Sequence, residues 1–283
     1  MNKNMSDTLP VICENAGRTI EVAMGTTLLE VERQLRLDGP HPFLAAYVNN
    51  RIKELNYRIY KPVTVRFIDI TSFEGIRVYQ RTISFILQKA VRELFPDRTL
   101  YIRHSLGASG FYCEISGFGP IPAEHLDAIK ARMRGIIDRN LPIQGVKMLT
   151  DTARKIYEGF GMADKIALLD SRPRLYSKIY TIDSLPGYLY GALTHSTGYT
   201  PQFDLHPYYN GFFIALPLRT DPTRLQQSVH QEKMFDVFHQ YQSWVEIMGV
   251  PTVGQLNSKV LAGDASELIK IAEAFHENKL AQV

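Results

Sequence analysis

Short stretches of alternating or periodic apolar residues fill the chain from residue 9 to residue 70. Leu28, Val31 and Leu35 recur at helical spacing. They follow Thr26 and Thr27, and either threonine could cap the start of a helix. Alternating patterns predict strands at residues 11–14, 19–24, 45–48 and 63–70. Short strands around one helix predict a small β-grasp-like domain over residues 9–70.

Helical and strand-like patterns then alternate over residues 73–218. A helix is predicted at 79–94, where Ile83, Ile86 and Ala90 lie on one face and Pro96 follows the end. Further helices are predicted at 123–139 and from residue 150, with strands at 100–104, 111–115, 146–149, 175–182 and 211–217. This mixture predicts an α+β sandwich, and the fold class expected for the whole chain is α+β.

Residues 224–283 have a helical pattern. One helix carries a stripe of five apolar residues that ends just before Gly249, and Asp264 with Glu267 forms a plausible capping box for a final helix. The stripe could belong to the core or to a surface that docks a partner, and the core interpretation is preferred. Its members are Met234, Phe238, Tyr241, Val245 and Met248.

Composition indicates an ordinary globular protein. Of its 283 residues, 45% are hydrophobic and 22% are charged, and no apolar run approaches the roughly 18 residues that cross a bilayer. The first ten residues lack the apolar stretch of a signal peptide. Cys13 and Cys113 are the only cysteines, which favours a reducing compartment over a disulfide framework. A cytoplasmic location without membrane contact is expected.

Positive charge is concentrated between Arg51 and Arg103. This region holds 11 Lys and Arg against 5 Asp and Glu, whereas the whole chain has a net charge of only +3. Such a patch could bind the phosphates of RNA, which gives an RNA-binding or tRNA-binding alternative. Solvated strand and helix ends are the preferred explanation.

Patterns that carry chemistry are weak. None of the eight histidines stands four residues from another, and no Cys–His cluster occurs. The segment Thr194-His195-Ser196-Thr197-Gly198 lacks the first glycine of a nucleophile elbow. No catalytic residue and no metal ligand is therefore assigned.

Two sets of segments carry a resemblance. Phe73-Glu74-Gly75-Ile76-Arg77-Val78, with the following helix that ends Glu93-Leu94-Phe95-Pro96, and Gly110-Phe111-Tyr112-Cys113-Glu114 resemble threonyl-tRNA synthetase. Gly25-Thr26-Thr27 and Ala46-Tyr47-Val48-Asn49 look like the TGS domain that precedes the editing domain in that family. The resemblance implies a TGS-like domain at 9–70 and an editing-like domain at 73–218.

The resemblance also implies that the editing site is lost. Editing in this family depends on a His-x3-His pair on the first helix and a later Cys-x3-His pair. The matching positions are Arg81, Phe85, Leu189 and Leu193. Because guanidinium, phenyl and isobutyl groups neither bind zinc nor accept a proton at neutral pH, editing hydrolysis is disfavoured. An editing hydrolase with relocated residues remains a further alternative.

Other segments are similar to bacterial kinases of the uridine kinase/phosphoribulokinase class. These proteins carry TGS, editing-like and helical parts ahead of a P-loop kinase domain. The similarity lies in Leu193-Thr194-His195-Ser196-Thr197-Gly198-Tyr199, Trp244–Val250, Gln255-Leu256-Asn257 and Ala272–Glu277. The resemblance implies that residues 224–283 lead toward a kinase domain. ATP and magnesium are expected only in that domain, because this sequence contains no Gly-x4-Gly-Lys-Ser/Thr.

A retained pocket is the main functional hypothesis for the chain itself. It would be a regulatory or ligand-binding module, with a nucleotide or RNA as ligand and the kinase domain as partner. Packing of loops without any ligand is the competing interpretation, and it is the preferred one. The candidate ligand contacts are Arg81, His104, Tyr190, His195 and Thr197.

Overall fold

The computed structural model describes residues 8–281, which form two compact units. The first contains the chain up to Gln144 together with residues 181–185 and 189–229. The second contains residues 145–180, 186–188 and the chain from His230 onward. The mixture of helices with several separate sheets confirms the predicted α+β class. The boundaries at 9–70, 73–218 and 224–283 stay predictions.

The first unit begins with a five-stranded mixed sheet and one helix. Its elements are β1 (Thr8–Cys13), β2 (Arg18–Ala23), α1 (Leu28–Leu35), β3 (Ala45–Val48), β4 (Arg51–Lys53) and β5 (Val63–Ile68). The strand order is β2-β1-β5-β3-β4, and β1 runs parallel to β5 with Val11 opposite Val63. Thr27 and Glu30 form a reciprocal capping box at the start of α1. Leu28 and Val31 are fully buried, as the helical pattern predicts.

A long helix, α2 (Phe73–Leu94), follows this sheet and begins six residues before the predicted start. Ser72 is its N-cap, and the side-chain oxygen of Ser72 accepts a hydrogen bond from the amide of Gly75 at 3.0 Å. A Cβ atom at Gly75 would lie 1.7 Å from the carbonyl oxygen of Asp69. The start of α2 therefore depends on the Ser72 cap and on the close contact between Gly75 and the backbone of Asp69. The spacing of apolar residues reveals neither feature.

The remaining elements of the first unit form a four-stranded antiparallel sheet, a helix that packs on α2, and short connecting pieces. In this sheet the strand order is β11 (Asp204–Tyr208), β12 (Gly211–Ala215), β7 (Gly110–Ile115) and β6 (Leu100–Ser105). The complete set of elements from β6 to β14 is β6 (Leu100–Ser105), β7 (Gly110–Ile115), α3 (Ala123–Asp138), β8 (Ile143–Leu149), α4 (Thr150–Gly159), α5 (Ala163–Asp170), β9 (Tyr176–Ile182), β10 (Leu185–Gly187), a 3-10 helix (Thr197–Tyr199), β11 (Asp204–Tyr208), β12 (Gly211–Ala215), β13 (Pro217–Leu218) and β14 (Asp221–Leu225). The strands β8, β9 and β10 form a separate sheet in the order β10-β9-β8.

The second unit includes α4 and α5 and ends in three helices, α6 (Glu232–Ile247), α7 (Val253–Ala262) and α8 (Ala265–Ala281). The predicted helical character of this part is confirmed, but the core interpretation of the α6 stripe is wrong. Met234, Phe238 and Tyr241 are 48%, 39% and 61% exposed, and within the described part of the chain Phe235 is the buried residue of α6. The spacing correctly predicts one apolar face, but periodicity cannot tell whether that face is covered.

Within residues 8–281, no helix combines the length and the apolar character that crossing a membrane requires.

Candidate functional site

The segment from Leu189 to Tyr199 is hydrogen-bonded to the middle of α2. Nε of Arg81 donates to the carbonyl oxygen of Ala192 at 2.9 Å. The neighbouring Thr82 is fully buried, and its hydroxyl accepts a hydrogen bond from the amide of Thr194 at 3.0 Å. Two consecutive residues of α2 therefore fix the path of the segment.

The four positions that match the family's editing residues hold no group that could bind a metal. Phe85 and Leu193 are fully buried, Leu189 is half-buried, and Arg81 is half-buried with its Nε bonded to the backbone. Hydrocarbon occupies the two most buried positions. The residues present do not fit the zinc or activated water that the family resemblance implies.

Among residues 8–281, no group of three or more His, Cys, Asp or Glu side chains is arranged to hold a metal ion. The later of the two cysteines, Cys113, is fully buried in β7, and its thiol lies 3.9 Å from the carbonyl oxygen of Phe111. Burial raises the pKa of the Cys113 thiol far above its ordinary value. This cysteine is therefore an inert core residue rather than a nucleophile.

His195 and Tyr199 form an aromatic pair beside α1. Their ring centroids are 4.3 Å apart in an edge-to-face arrangement. Burial, with a smaller contribution from the cation of Arg33, lowers the pKa of His195 below its ordinary value. Burial also raises the pKa of Tyr199, and the carboxylate of Glu32 adds to this shift. Nδ1 of His195 is buried and has no hydrogen-bond partner in the part of the chain that the structure describes.

Thr197 lies in the 3-10 helix and is fully buried. Its hydroxyl donates to the carbonyl oxygen of Ile136 at 2.9 Å and accepts from the amide of Leu141 at 2.8 Å. The side chain thus joins the end of α3 to the segment that carries His195. Its predicted contact with a ligand stays a prediction.

Tyr190 and His104 have different surroundings in the structure. Tyr190 is adjacent to Gly191 in the segment, but its side chain is 89% exposed. His104 lies on β6, where its ring centroid is 5.3 Å from that of Tyr112. Burial is the main cause that lowers the pKa of His104. The shared ligand site of the five candidate residues stays a prediction.

A polar cluster around His104 was not predicted from the sequence. Nε of Arg103 donates to Glu114 Oε2 at 2.7 Å, and the hydroxyl of Tyr112 donates to Glu114 Oε1 at 2.8 Å. Tyr112 and Glu114 are two residues apart on β7 and therefore share a face of the sheet. That spacing was the available signal, but the contribution of Arg103 depends on the pairing of β6 with β7.

No family model matches the chain. Curated relatives are threonine–tRNA ligases. The protein of Clostridium kluyveri is 28% identical over 157 residues, which cover 56% of this chain and 24% of the relative. The protein of Symbiobacterium thermophilum is 28% identical over 190 residues, which cover 67% and 29%. For Methylobacillus flagellatus the values are 27% identity over 198 residues, 70% and 31%.

The chain therefore spans about a quarter to a third of the length of these relatives. The kinase-class resemblance of the sequence has no counterpart in these relatives. This similarity supports a threonyl-tRNA synthetase-like domain over part of the chain.

Proposed function

We propose that this chain is a non-catalytic regulatory or ligand-binding module built on an editing-like domain. The observation that carries the proposal is the complete burial of Phe85 and Leu193, which occupy two of the four positions where the editing family has its functional residues. A hydrolytic water at this position would need a polar partner to orient and deprotonate it. A phenyl ring and an isobutyl group offer none.

The position and chemistry of Arg81 also support a non-catalytic module. Its Nε holds the carbonyl oxygen of Ala192 at 2.9 Å, so the cation that replaces the first histidine has a structural bond. A guanidinium remains protonated at any pH at which the protein is folded. It therefore cannot serve as the general base of an ester hydrolysis.

The proposed ligand contacts remain Arg81, His104, Tyr190, His195 and Thr197. Of these, the geometry favours His195, because its buried Nδ1 has no partner among residues 8–281 and its ring lies against Tyr199. A ligand that donates a hydrogen bond to this nitrogen would satisfy a buried polar atom. Satisfying such an atom is worth about 1–3 kcal/mol.

A deacylation assay with Ser-charged threonine tRNA tests the absence of catalysis. We expect hydrolysis at the background rate with and without added zinc, beside an intact threonyl-tRNA synthetase editing domain as positive control. Metal analysis of the purified chain is the second measurement. Zinc-dependent turnover above background would contradict the proposal, and would instead support an editing hydrolase with relocated residues.

A finer proposal concerns the parent protein. We infer from the sequence resemblance of segments such as Trp244–Val250 that the module regulates a P-loop nucleoside kinase of the uridine kinase class, which would supply the ATP and magnesium site. Sequencing the gene's reading frame past Val283 tests this directly. A Gly-x4-Gly-Lys-Ser/Thr motif within about 40 residues supports it, and an open frame of several hundred residues without that motif contradicts it.

The RNA-binding alternative draws less support from the basic region 51–103. Several of its cations have carboxylate partners within the chain, which offsets the local excess of positive charge. Arg77 lies 2.7 Å from Glu74, and Arg66 lies 3.3 Å from Glu14. Arg51 and Lys61 are exposed, and their reversal to Glu should abolish binding if this surface contacts RNA phosphates. Unchanged or salt-insensitive binding would remove this alternative.

A further inference from the structure

A cavity of about 680 Å³ lies in the first unit, beside the five-stranded sheet. Three segments form it: the turn between β1 and β2, the end of α1 with the connection that follows, and the end of β5. Its size falls within the roughly 300–1,000 Å³ that is usual for sites of small molecules. It lies apart from every residue assigned above to the editing-like site.

Three arginines line this cavity, and they differ in how they are engaged. Nη2 of Arg18 donates to the carbonyl oxygen of Leu35 at 3.4 Å, and Nε of Arg66 lies 3.3 Å from Glu14. For the guanidinium of Arg36, in contrast, no hydrogen bond or ion pair is found within residues 8–281. Arg36 therefore offers a guanidinium without a direct partner among the described residues, although the carboxylates of Asp38 and Asp69 also line the cavity.

The backbone at Arg36 supports a functional reason for this residue. Arg36 is the C-cap of α1, with φ +50° and ψ +47°, in the left-handed region. Glycine is the usual residue at such a position, because any other side chain adds steric strain. Strained backbone of this kind is found at ligand-binding sites, and here it places an arginine side chain on the cavity wall.

The remaining residues that line the cavity indicate which other chemical groups an anionic ligand could carry. Leu37, Pro40 and Phe43 provide an apolar surface, and the ring of Phe43 packs on that of Phe67 at 5.7 Å between centroids. The carboxylate of Asp38 is exposed at the same cavity and can accept hydrogen bonds from hydroxyl groups. A ligand with an anionic group, hydroxyl groups and a flat apolar ring could contact the arginines, Asp38 and the apolar residues, respectively.

We propose that this cavity binds a mononucleotide-sized phosphate ester. The guanidinium groups of Arg36 and Arg18 contact the phosphate, because their paired N–H groups match two phosphate oxygens. Asp38 accepts from sugar hydroxyls, and the base lies against Pro40 and Phe43. The proposal goes beyond the loss of editing chemistry and does not depend on it.

Isothermal titration of the full chain with adenosine monophosphate, adenosine and inorganic phosphate tests the ligand class. We expect adenosine monophosphate to bind at least about tenfold more tightly than either part alone, because both the phosphate and the apolar contacts contribute. Equal affinity for inorganic phosphate and the nucleotide would overturn the proposal. Binding of a short RNA in place of the nucleotide would overturn it as well.

Substitution of Arg36 tests the site. Arg36→Gly should lower nucleotide affinity at least about tenfold while Tm stays the same or rises, because glycine relieves the strained backbone. Arg33→Gln is the matched control: it removes one positive charge from the same helix, but Arg33 does not line the cavity, so affinity should stay within about twofold. Unchanged affinity in the Arg36→Gly protein, or an equal loss in the control, would overturn the proposal.

Discussion

Gly191 and Arg81 are in close contact, and residue 191 has a backbone conformation that residues with a side chain rarely adopt. A Cβ atom built on Gly191 would lie 2.7 Å from Cζ of Arg81, and the backbone there has φ +123°. The guanidinium thus lies against a bare stretch of backbone while its Nε reaches the next carbonyl oxygen, that of Ala192. Helix α2 and the segment 189–199 depend on each other through this contact.

Gly191→Ala should therefore destabilise the fold by at least about 2 kcal/mol, because alanine adds both backbone strain and a contact with the guanidinium. Urea unfolding followed by circular dichroism measures the change. Gly135→Ala is the control: Gly135 lies within α3 with open space around its Cα, so alanine should stabilise the protein by about 0.5–1 kcal/mol. Equal stability of the Gly191→Ala protein and the unmodified chain would contradict the contact.

Thr197→Val tests whether the buried hydroxyl holds α3 to the 3-10 helix. Valine has nearly the same shape but leaves the amide of Leu141 and the carbonyl oxygen of Ile136 without their partner. We expect a loss of about 2–3 kcal/mol in the free energy of unfolding. Thr197→Ser keeps the hydroxyl and should lose only about 1 kcal/mol. A loss in the valine variant no larger than that in the serine variant would contradict the role of the hydroxyl.

Elements with strong local signals could be predicted from the sequence. The helix α1 has both its apolar face and its Thr27–Glu30 capping box in the sequence, and it begins where expected. The helix α5 was not predicted, and α7 was covered only by the general helical pattern of residues 224–283. They pack closely, since a Cβ atom at Gly254 would lie 2.7 Å from the amide nitrogen of Leu168. Contacts of this kind stabilise short helices without leaving a periodic pattern.

The chemistry of the candidate site could be predicted only at the level of residue types. Arg81 and Phe85 already indicated that a metal site was lost, but the bond from Arg81 to Ala192 depends on a loop more than a hundred residues away. The exposure of Tyr190 depends in the same way on the path of that loop. Partners brought together by tertiary structure have no signature in local sequence.

The exposed face of α6 leads to a prediction about stability. Met234 and Tyr241 are 48% and 61% exposed, so replacing both with serine should change the free energy of unfolding by less than about 0.5 kcal/mol. Phe235→Ala, at the buried residue of the same helix, should cost about 3 kcal/mol. Trp244, stacked on Phe275 at 5.3 Å, provides a fluorescence signal for this region during urea unfolding. A large loss in the serine variant would restore the core interpretation of the stripe.

His195 should make the protein less stable as the solution becomes more acidic. Burial, aided by Arg33, lowers the pKa of His195 in the folded state, whereas in the unfolded chain it is about 6.5. Below pH 6.5, His195 is protonated in the unfolded chain but stays neutral in the folded protein. The free energy of unfolding therefore falls with decreasing pH until the pH reaches the pKa of the folded state. His104 contributes in the same direction. His195→Asn should therefore reduce the slope of stability against pH between pH 7 and pH 5, measured by urea unfolding in a series of buffers. Tyr199→Phe is the control, because it keeps the ring contact and leaves the imidazole in place. An unchanged slope in the His195→Asn protein would show that this histidine does not couple folding to protonation.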